Sequence, residues 1–183
     1  LLALMEIQAS RHRARTGPDG ALIPITEQDR GRWDQLLLRR GLDALARAEA
    51  LVKRRGAGTV DSMGSESGPF VLQAALAACH ARARRAADTD WPRIAALYDR
   101  LRVVAPSPVV DLNRAIAHSM AFGPEAGLRL VDEIADAAAL RDYAPLPAAR
   151  GDFLFRAGRL AEARSEFKAA ATLTRNARER AFL

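Results

Sequence analysis

The sequence predicts an all-α protein of antiparallel helical hairpins stacked side by side, preceded by an N-terminal helical segment. Three observations carry this reading. Of the 183 residues 49% are hydrophobic but only 5% aromatic, because the apolar content is mostly alanine and leucine, which with arginine head the helix propensities. Alternating Val/Ile/Thr runs between turn residues, the mark of strands, are absent. A pattern also recurs about every 34 to 35 residues in the second half, as it does in repeat architectures. Gly158-Arg159-Leu160 is followed by Ala163, Phe167 and Ala170. Trp91, Ile94, Tyr98, Leu101 and Pro106 fall at matching offsets, and Gly123 stands one repeat length before Gly158. A single hairpin cannot bury its apolar face alone, so neighbours must stack.

Taken in order, residues 1 to about 15 read as the end of a helix, broken by Thr16-Gly17-Pro18-Asp19-Gly20, whose Gly and Pro are strong turn formers. Ala21 to Ile25 runs extended. Thr26 is a plausible N-cap, with Glu27 and Asp29 in the first turn where negative charge is favoured. A long helix or helix pair follows, with Trp33, Leu36, Leu37, Leu45, Leu51 and Val52 on its apolar stripe. Gly41 interrupts it and marks a bend or a close helix crossing. Gly56 to Pro69 is a Gly/Ser-rich loop. Pro69 suits the first turn of a helix running from Phe70 to Ala87. Asp88-Thr89-Asp90 caps the next helix, which carries Trp91, Ile94, Leu97, Tyr98 and Leu101 and ends at Pro106-Ser107-Pro108. Further helices are expected over about 109–121, 125–137, 141–157, 160–173 and 176–183. The chain thus reads as an N-terminal segment, 1–67, and a repeat region, 68–183, packed as one unit.

A net charge of +6 and a pI near 10.6 raise the question of nucleic-acid binding. The basic clusters are Arg11-His12-Arg13-Arg15, Lys53-Arg54-Arg55, Arg82-Arg84-Arg85 and Arg175-Arg178-Arg180. They are spread through every segment, usually near an acid, and fit solvated helix faces or helix ends. No aromatic stacking set is interleaved with them, as single-strand binding needs. Cys79 is alone and falls in an apolar helical stretch, so it reads as a buried thiol rather than part of a disulfide framework. No run of 18 uncharged apolar residues is present. Leu1 to Met5 lacks the features of a signal peptide and starts as though already inside a helix. A piece of a longer cytoplasmic protein is the expectation.

Catalysis finds no support. His12, His80 and His118 are widely separated, with no Cys pair or His-x-x-x-His spacing for a metal. Cys79 and His80 are helix neighbours and point about 100° apart, which disfavours a nucleophile–base pair. No phosphate-binding Gly-rich loop and no G-x-S-x-G is present. A non-enzyme without cofactor or metal is expected.

The repeat spacing is that of a tetratricopeptide repeat, whose stacked hairpins form a groove for a partner. Several segments are more specific. They are Glu27-Gln28-Asp29-Arg30 with Trp33-Asp34; Gly68-Pro69-Phe70 through Cys79-His80-Ala81; Thr89-Asp90-Trp91 with Leu97-Tyr98-Asp99; Pro106-Ser107-Pro108 through Asn113-Arg114-Ala115; and Asn176 with Glu179 to Leu183. Over essentially its whole length the chain resembles the tetratricopeptide-like C-terminal extension of bacterial extracytoplasmic-function RNA polymerase sigma factors. The resemblance implies a regulatory, protein-contacting domain in transcription initiation. Its partners would be the sigma regions of the same chain and the RNA polymerase core, with a separate small regulatory protein as a further candidate. DNA would be contacted by N-terminal regions that this chain lacks, and no membrane partner is implied. Two alternatives remain: a stand-alone tetratricopeptide adaptor binding a peptide or protein, and a basic helical nucleic-acid-binding domain.

Registering the repeat on Pro106 places Asn113 at a groove-facing position, with Arg114 adjacent. The same register at Gly151 places Asp152 and Arg156 on the equivalent face. Such side chains either hold a partner's backbone or carboxylate, Arg through its rigid fork, or bond to neighbouring segments and fix the superhelix. Gln73 and His80 lie two turns apart in an apolar helix, where buried polar groups need partners. They either line the groove with Asn113 or form an internal network with Asp29 and Arg30. Trp33, Trp91, Tyr98 and Phe167 are expected in the core.

Overall fold

The computed structural model describes residues 1–18, 20–56 and 67–174. Among these residues the chain is all-helical, with eight α-helices, short 3-10 turns and one isolated antiparallel bridge between Thr16 and Leu22. The helices are α1 (Leu2–Ser10), α2 (Gln35–Gly56), α3 (Pro69–Arg82), α4 (Trp91–Val104), α5 (Pro108–Phe122), α6 (Pro124–Asp132), α7 (Pro145–Arg156) and α8 (Leu160–Leu173). The expected helix over 176–183, with its Asn176 and Glu179 to Leu183, lies outside the described residues. So do the Arg175-Arg178-Arg180 cluster, residues 57–66 of the Gly/Ser loop, and Asp19.

Two compact units are present, Leu1–Asp90 and Trp91–Leu183. The boundary therefore falls after residue 90 rather than after residue 67. The reason is α3, whose run of buried residues from Ala74 to Cys79 packs on α1 and α2. Its small side chains allow that close approach but give no hint of which neighbour they meet.

In the first unit, α1 crosses α2 at Gly41. A Cβ there would stand 2.7 Å from Ile7 Cγ1 and 3.0 Å from the Ile7 backbone nitrogen, closer than any side chain tolerates, so only glycine fits the crossing. Ile7 and Leu45 are fully buried at this contact, with Trp33 and Leu72 nearby in the same core. Between the helices the chain turns sharply. Gly20 adopts a φ of +77°, and Ile23 N–H donates to the Arg15 carbonyl at 2.8 Å.

The long helix starts later than its polar lead-in predicts. Thr26 does not cap it; residues 24–29 form turns, and a 3-10 turn spans Arg30–Arg32. Trp33 is extended, with ψ 135°, and the Asp34 carboxylate accepts the Leu36 and Leu37 N–H groups, both at 3.0 Å. Asp34 thus does the capping, satisfying two of the donors that a helix start leaves orphaned. Leu36 and Leu51 are exposed, and Leu38 takes the buried place beside Leu45. Helix α3 likewise stops at Arg82 instead of Ala87, because Ala83 is extended and Ala86–Asp88 forms a separate 3-10 turn.

In the second unit each helix packs on the next: α4 on α5, α5 on α6, α6 on α7, and α7 on α8. Ser107 caps α5 by accepting the Val110 N–H at 3.1 Å. Gly123, φ +97°, and Gly158, φ +77°, sit in left-handed backbone at the two inter-helix corners, which explains why glycine recurs there. The core joins Leu112, Leu128, Val131, Phe153, Leu154 and Ala163, with Phe167 packed against it. Gly127 and Gly151 bring helices close: a Cβ at Gly127 would lie 2.9 Å from the Phe153 ring, and one at Gly151 2.9 Å from the Phe167 ring. Helix α6 ends at Asp132 and α7 begins only at Pro145, with a 3-10 turn at Ala138–Leu140 between them, so both are shorter than expected.

Candidate functional site

Of the polar residues singled out in the first unit, Asp29, Arg30 and His80 meet at the end of α3. Asp29 accepts the Gly31 N–H at 2.9 Å and so fixes the Arg30–Arg32 turn. The turn aims Arg30 at the C-terminus of α3, where its guanidinium donates to the His80 carbonyl, to the Ala83 carbonyl at 3.0 Å, and to Thr89 Oγ1 at 3.4 Å. The last carbonyls of a helix have no partner within it and carry the negative end of its dipole. A guanidinium supplied from a distant turn satisfies both needs. The sequence therefore pairs the right segments, but through backbone carbonyls rather than the His80 imidazole. Gln73 is half-buried on α3 and gives no hydrogen bond to this network among the described residues.

Around this joint cations crowd together. Arg11 and Arg30 lie 5.4 and 5.2 Å from the centroid of the Trp33 ring, in cation–π range. Burial, reinforced by Arg11 and then Arg30, holds the His80 imidazole down to about 4. Burial likewise lowers Arg30, partly offset by Asp88. His80 is therefore neutral in the folded protein at neutral pH, whereas in the unfolded chain it gains a proton as pH drops through 6.5. Between about pH 6.5 and 4 the unfolded state binds more protons, so stability is fully present above this window and falls on acidification. The full shift corresponds to a loss on the order of 3 kcal/mol. Urea denaturation at pH 7 and pH 4.5 should show that loss in wild type and a smaller one in His80→Gln.

In the second unit Arg114 and Arg156 reach neighbouring helices, whereas Asn113 and Asp152 bond within their own. Asn113 Nδ2 donates to the Val109 carbonyl one turn back, at 2.9 Å. Arg114 Nε donates to Asp99 Oδ1 at 2.6 Å, and His118 Nε2 lies 3.1 Å from the same oxygen, which ties α5 to α4. Burial opposes ionisation of Asp99, but Arg114 and His118 outweigh it and hold the carboxyl below its usual range. Arg156 donates to Ser119 Oγ at 3.0 Å and to the Ser119 carbonyl at 2.9 Å, joining α7 to α5, and pairs with Asp152 at 3.3 Å. Ser119 is fully buried, so this is an anchored contact. Asp152 is exposed and Asn113 half-buried.

Three features escaped the sequence reading. Asp99 meets the Arg114 guanidinium and the His118 imidazole of α5, at separations of 15 and 19 residues. Arg150 links Asp132 of α6, at 3.2 Å, and Glu166 of α8, joining three helices. Large apolar side chains also stand in solvent around Arg156: Phe122 is 61% exposed, Phe155 59% and Leu160 60%. Phe155 and Leu160 border an open cleft of about 540 Å³ between α7 and α8, shared with Phe167. The last feature was legible in principle, since Phe155 and Leu160 interrupt polar positions of their helices.

Among the described residues no group of three or more His, Cys, Asp and Glu side chains is placed to hold a metal ion, and no helix is long and apolar enough to cross a membrane. Cys79 is buried.

Residues 1–49 match DUF6596, a family of unknown function. The whole chain is 39% identical over 183 residues to an uncharacterized protein of Rhizobium meliloti (strain 1021), and spans 40% of the length of that relative. No solved structure matches the chain. The similarity to the relative thus runs through both compact units, whereas the family match is confined to α1, the turns after it and the first part of α2.

Proposed function

We infer that this chain is a regulatory, protein-contacting domain of an alternative RNA polymerase sigma factor, acting in the cytoplasm by contact rather than by catalysis. The observation that carries the contact reading is the surface of the second unit. Arg102, Arg114, Arg150, Arg156 and Arg159 are engaged with acids on their own or neighbouring helices, while Phe122, Phe155 and Leu160 stand exposed. Exposed apolar groups rimmed by polar ones mark protein interfaces. The succession of helices packing each on the next supports a tetratricopeptide-like array. In that array Asn113 and Asp152 stand on the contact face, with Arg114 and Arg156 holding the helices that present them.

The sigma-factor assignment rests on the motif resemblance, and the longer relative, of which this chain spans 40%, agrees with a domain that works attached to others. In this reading the second unit docks on the sigma regions of the same chain and sets their engagement with core polymerase. Phe155→Asp combined with Leu160→Asp tests the face directly. Both positions are solvent-exposed, so the fold is retained, which circular dichroism checks. Affinity for the sigma regions should fall by about tenfold or more, the equivalent of 1.4 kcal/mol. Unchanged affinity with an intact fold would remove this face from the function.

A further inference from the structure

Arginines around the turns of the first unit meet different acceptors from the ion-paired arginines elsewhere in the molecule. In the second unit Arg102, Arg114, Arg150, Arg156 and Arg159 each meet a carboxylate. Around the turns of the first unit the acceptors are neutral. Arg11 Nε donates to the Gln28 amide oxygen at 3.2 Å and Arg15 to that of Gln8 at 2.6 Å. Arg13 and Arg32 are exposed and form no ion pair among the described residues. The crowding registers on Arg11, which burial and then the charges of Arg15 and Arg30 push down to about 10.

Arg13 and Arg32 are held by two 3-10 turns, His12–Ala14 and Arg30–Arg32, that pack against each other. With His12 and Trp33 they line an open cleft of about 690 Å³. The one carboxylate in its wall, Asp34, accepts the Leu36 and Leu37 N–H groups through one oxygen and is ion-paired with neither arginine among the described residues, so two guanidiniums face one carboxylate there. The turns themselves are fixed, one by the Asp29 cap and the other by its packing, so the backbone positions from which the two guanidiniums project are set.

We propose that this cleft is a docking site for an acidic peptide segment of a protein partner, with Arg13 and Arg32 receiving its side-chain carboxylates. Guanidinium forks match carboxylates in a bidentate geometry. Nucleic acid fits the cleft less well. Single strands need exposed aromatic platforms, but Trp33 is buried at 3% exposure and covered by Arg11 and Arg30. A duplex needs a basic track along its backbone, whereas the two guanidiniums here line a single cleft. The site lies wholly in the first unit and does not depend on the sigma-factor reading.

The test is an NMR titration of the whole chain with a synthetic peptide of alternating glutamate and serine, with affinity from fluorescence anisotropy of the labelled peptide. Saturable binding should shift resonances of residues 12–16 and 30–34. Arg13→Gln with Arg32→Gln should weaken it about tenfold or more, while Arg129→Gln with Arg141→Gln, an equal charge change at exposed positions of the second unit, should leave it within about twofold. Equal weakening by both pairs would mean diffuse charge attraction and overturn the site. Absence of saturable binding would overturn it too. So would tighter binding of a single-stranded oligonucleotide of equal charge that depends on Arg13 and Arg32, which would make the cleft a nucleic-acid surface.

Discussion

Phe153→Ala should destabilise the second unit by about 3–5 kcal/mol, the cost of removing a fully buried aromatic ring and leaving a cavity. Phe153 is 1% exposed and sits among Leu112, Leu128, Val131 and Leu154. Its ring fills the space that Gly127 leaves open, since a Cβ at Gly127 would stand 2.9 Å from it and 2.5 Å from Ser119 Cβ. The surrounding helices cannot close on the cavity without moving Ser119, which Arg156 grips through both its hydroxyl and its carbonyl. Chemical denaturation monitored by circular dichroism reads the effect. Phe153→Leu, which keeps most of the volume, should cost clearly less, on the order of 1 kcal/mol. Equal losses for the two variants would mean that ring volume is not what holds α5, α6 and α7 together.

Arg30→Ala should cost about 2–4 kcal/mol in the first unit, through carbonyls at the end of α3 left without a donor. The same side chain bonds the His80 and Ala83 carbonyls and Thr89 Oγ1, and lies over Trp33. Arg30→Lys should recover only part of the loss, since an ammonium cannot reproduce the planar fork that reaches several acceptors at once. Amide exchange of residues near Ala83 should speed up in both variants, more in the alanine one. A lysine variant as stable as wild type would show that charge at the helix end matters and fork geometry does not.

What the sequence made legible follows from how local the cause is. The corners at Gly123 and Gly158 were readable because a left-handed backbone at a helix junction selects glycine. The crossing at Gly41 was readable for a similar reason, though its partner Ile7 was not. The apolar spacing of Ile94, Leu97 and Leu101 located the buried face of α4. Helix starts were less legible because two candidate caps competed: Thr26 precedes a stretch of good helix formers, but Trp33 takes an extended conformation and Asp34 captures two N–H groups. The boundary after Asp90 depends on which helices α3 packs against, and its alanine-rich surface gives no directional signal. Among the candidate site residues, Arg30 and His80 were brought together across 50 positions, yet the acceptor was a backbone carbonyl, which every residue carries and no composition reveals. Arg114 and Arg156 fell on inter-helix faces, but their partners Asp99 and Ser119 could be found only from the packing.

The decisive measurement of the proposed function is the affinity of the purified chain for the sigma-factor regions proposed as its partner, compared with core polymerase and with plain duplex DNA, at low and moderate salt. A contact domain with an apolar face predicts saturable binding to the sigma regions that survives moderate salt, since apolar burial is insensitive to screening. It also predicts weak DNA binding that collapses as salt rises. Binding to DNA alone, or no binding to the sigma regions at either salt, would contradict it.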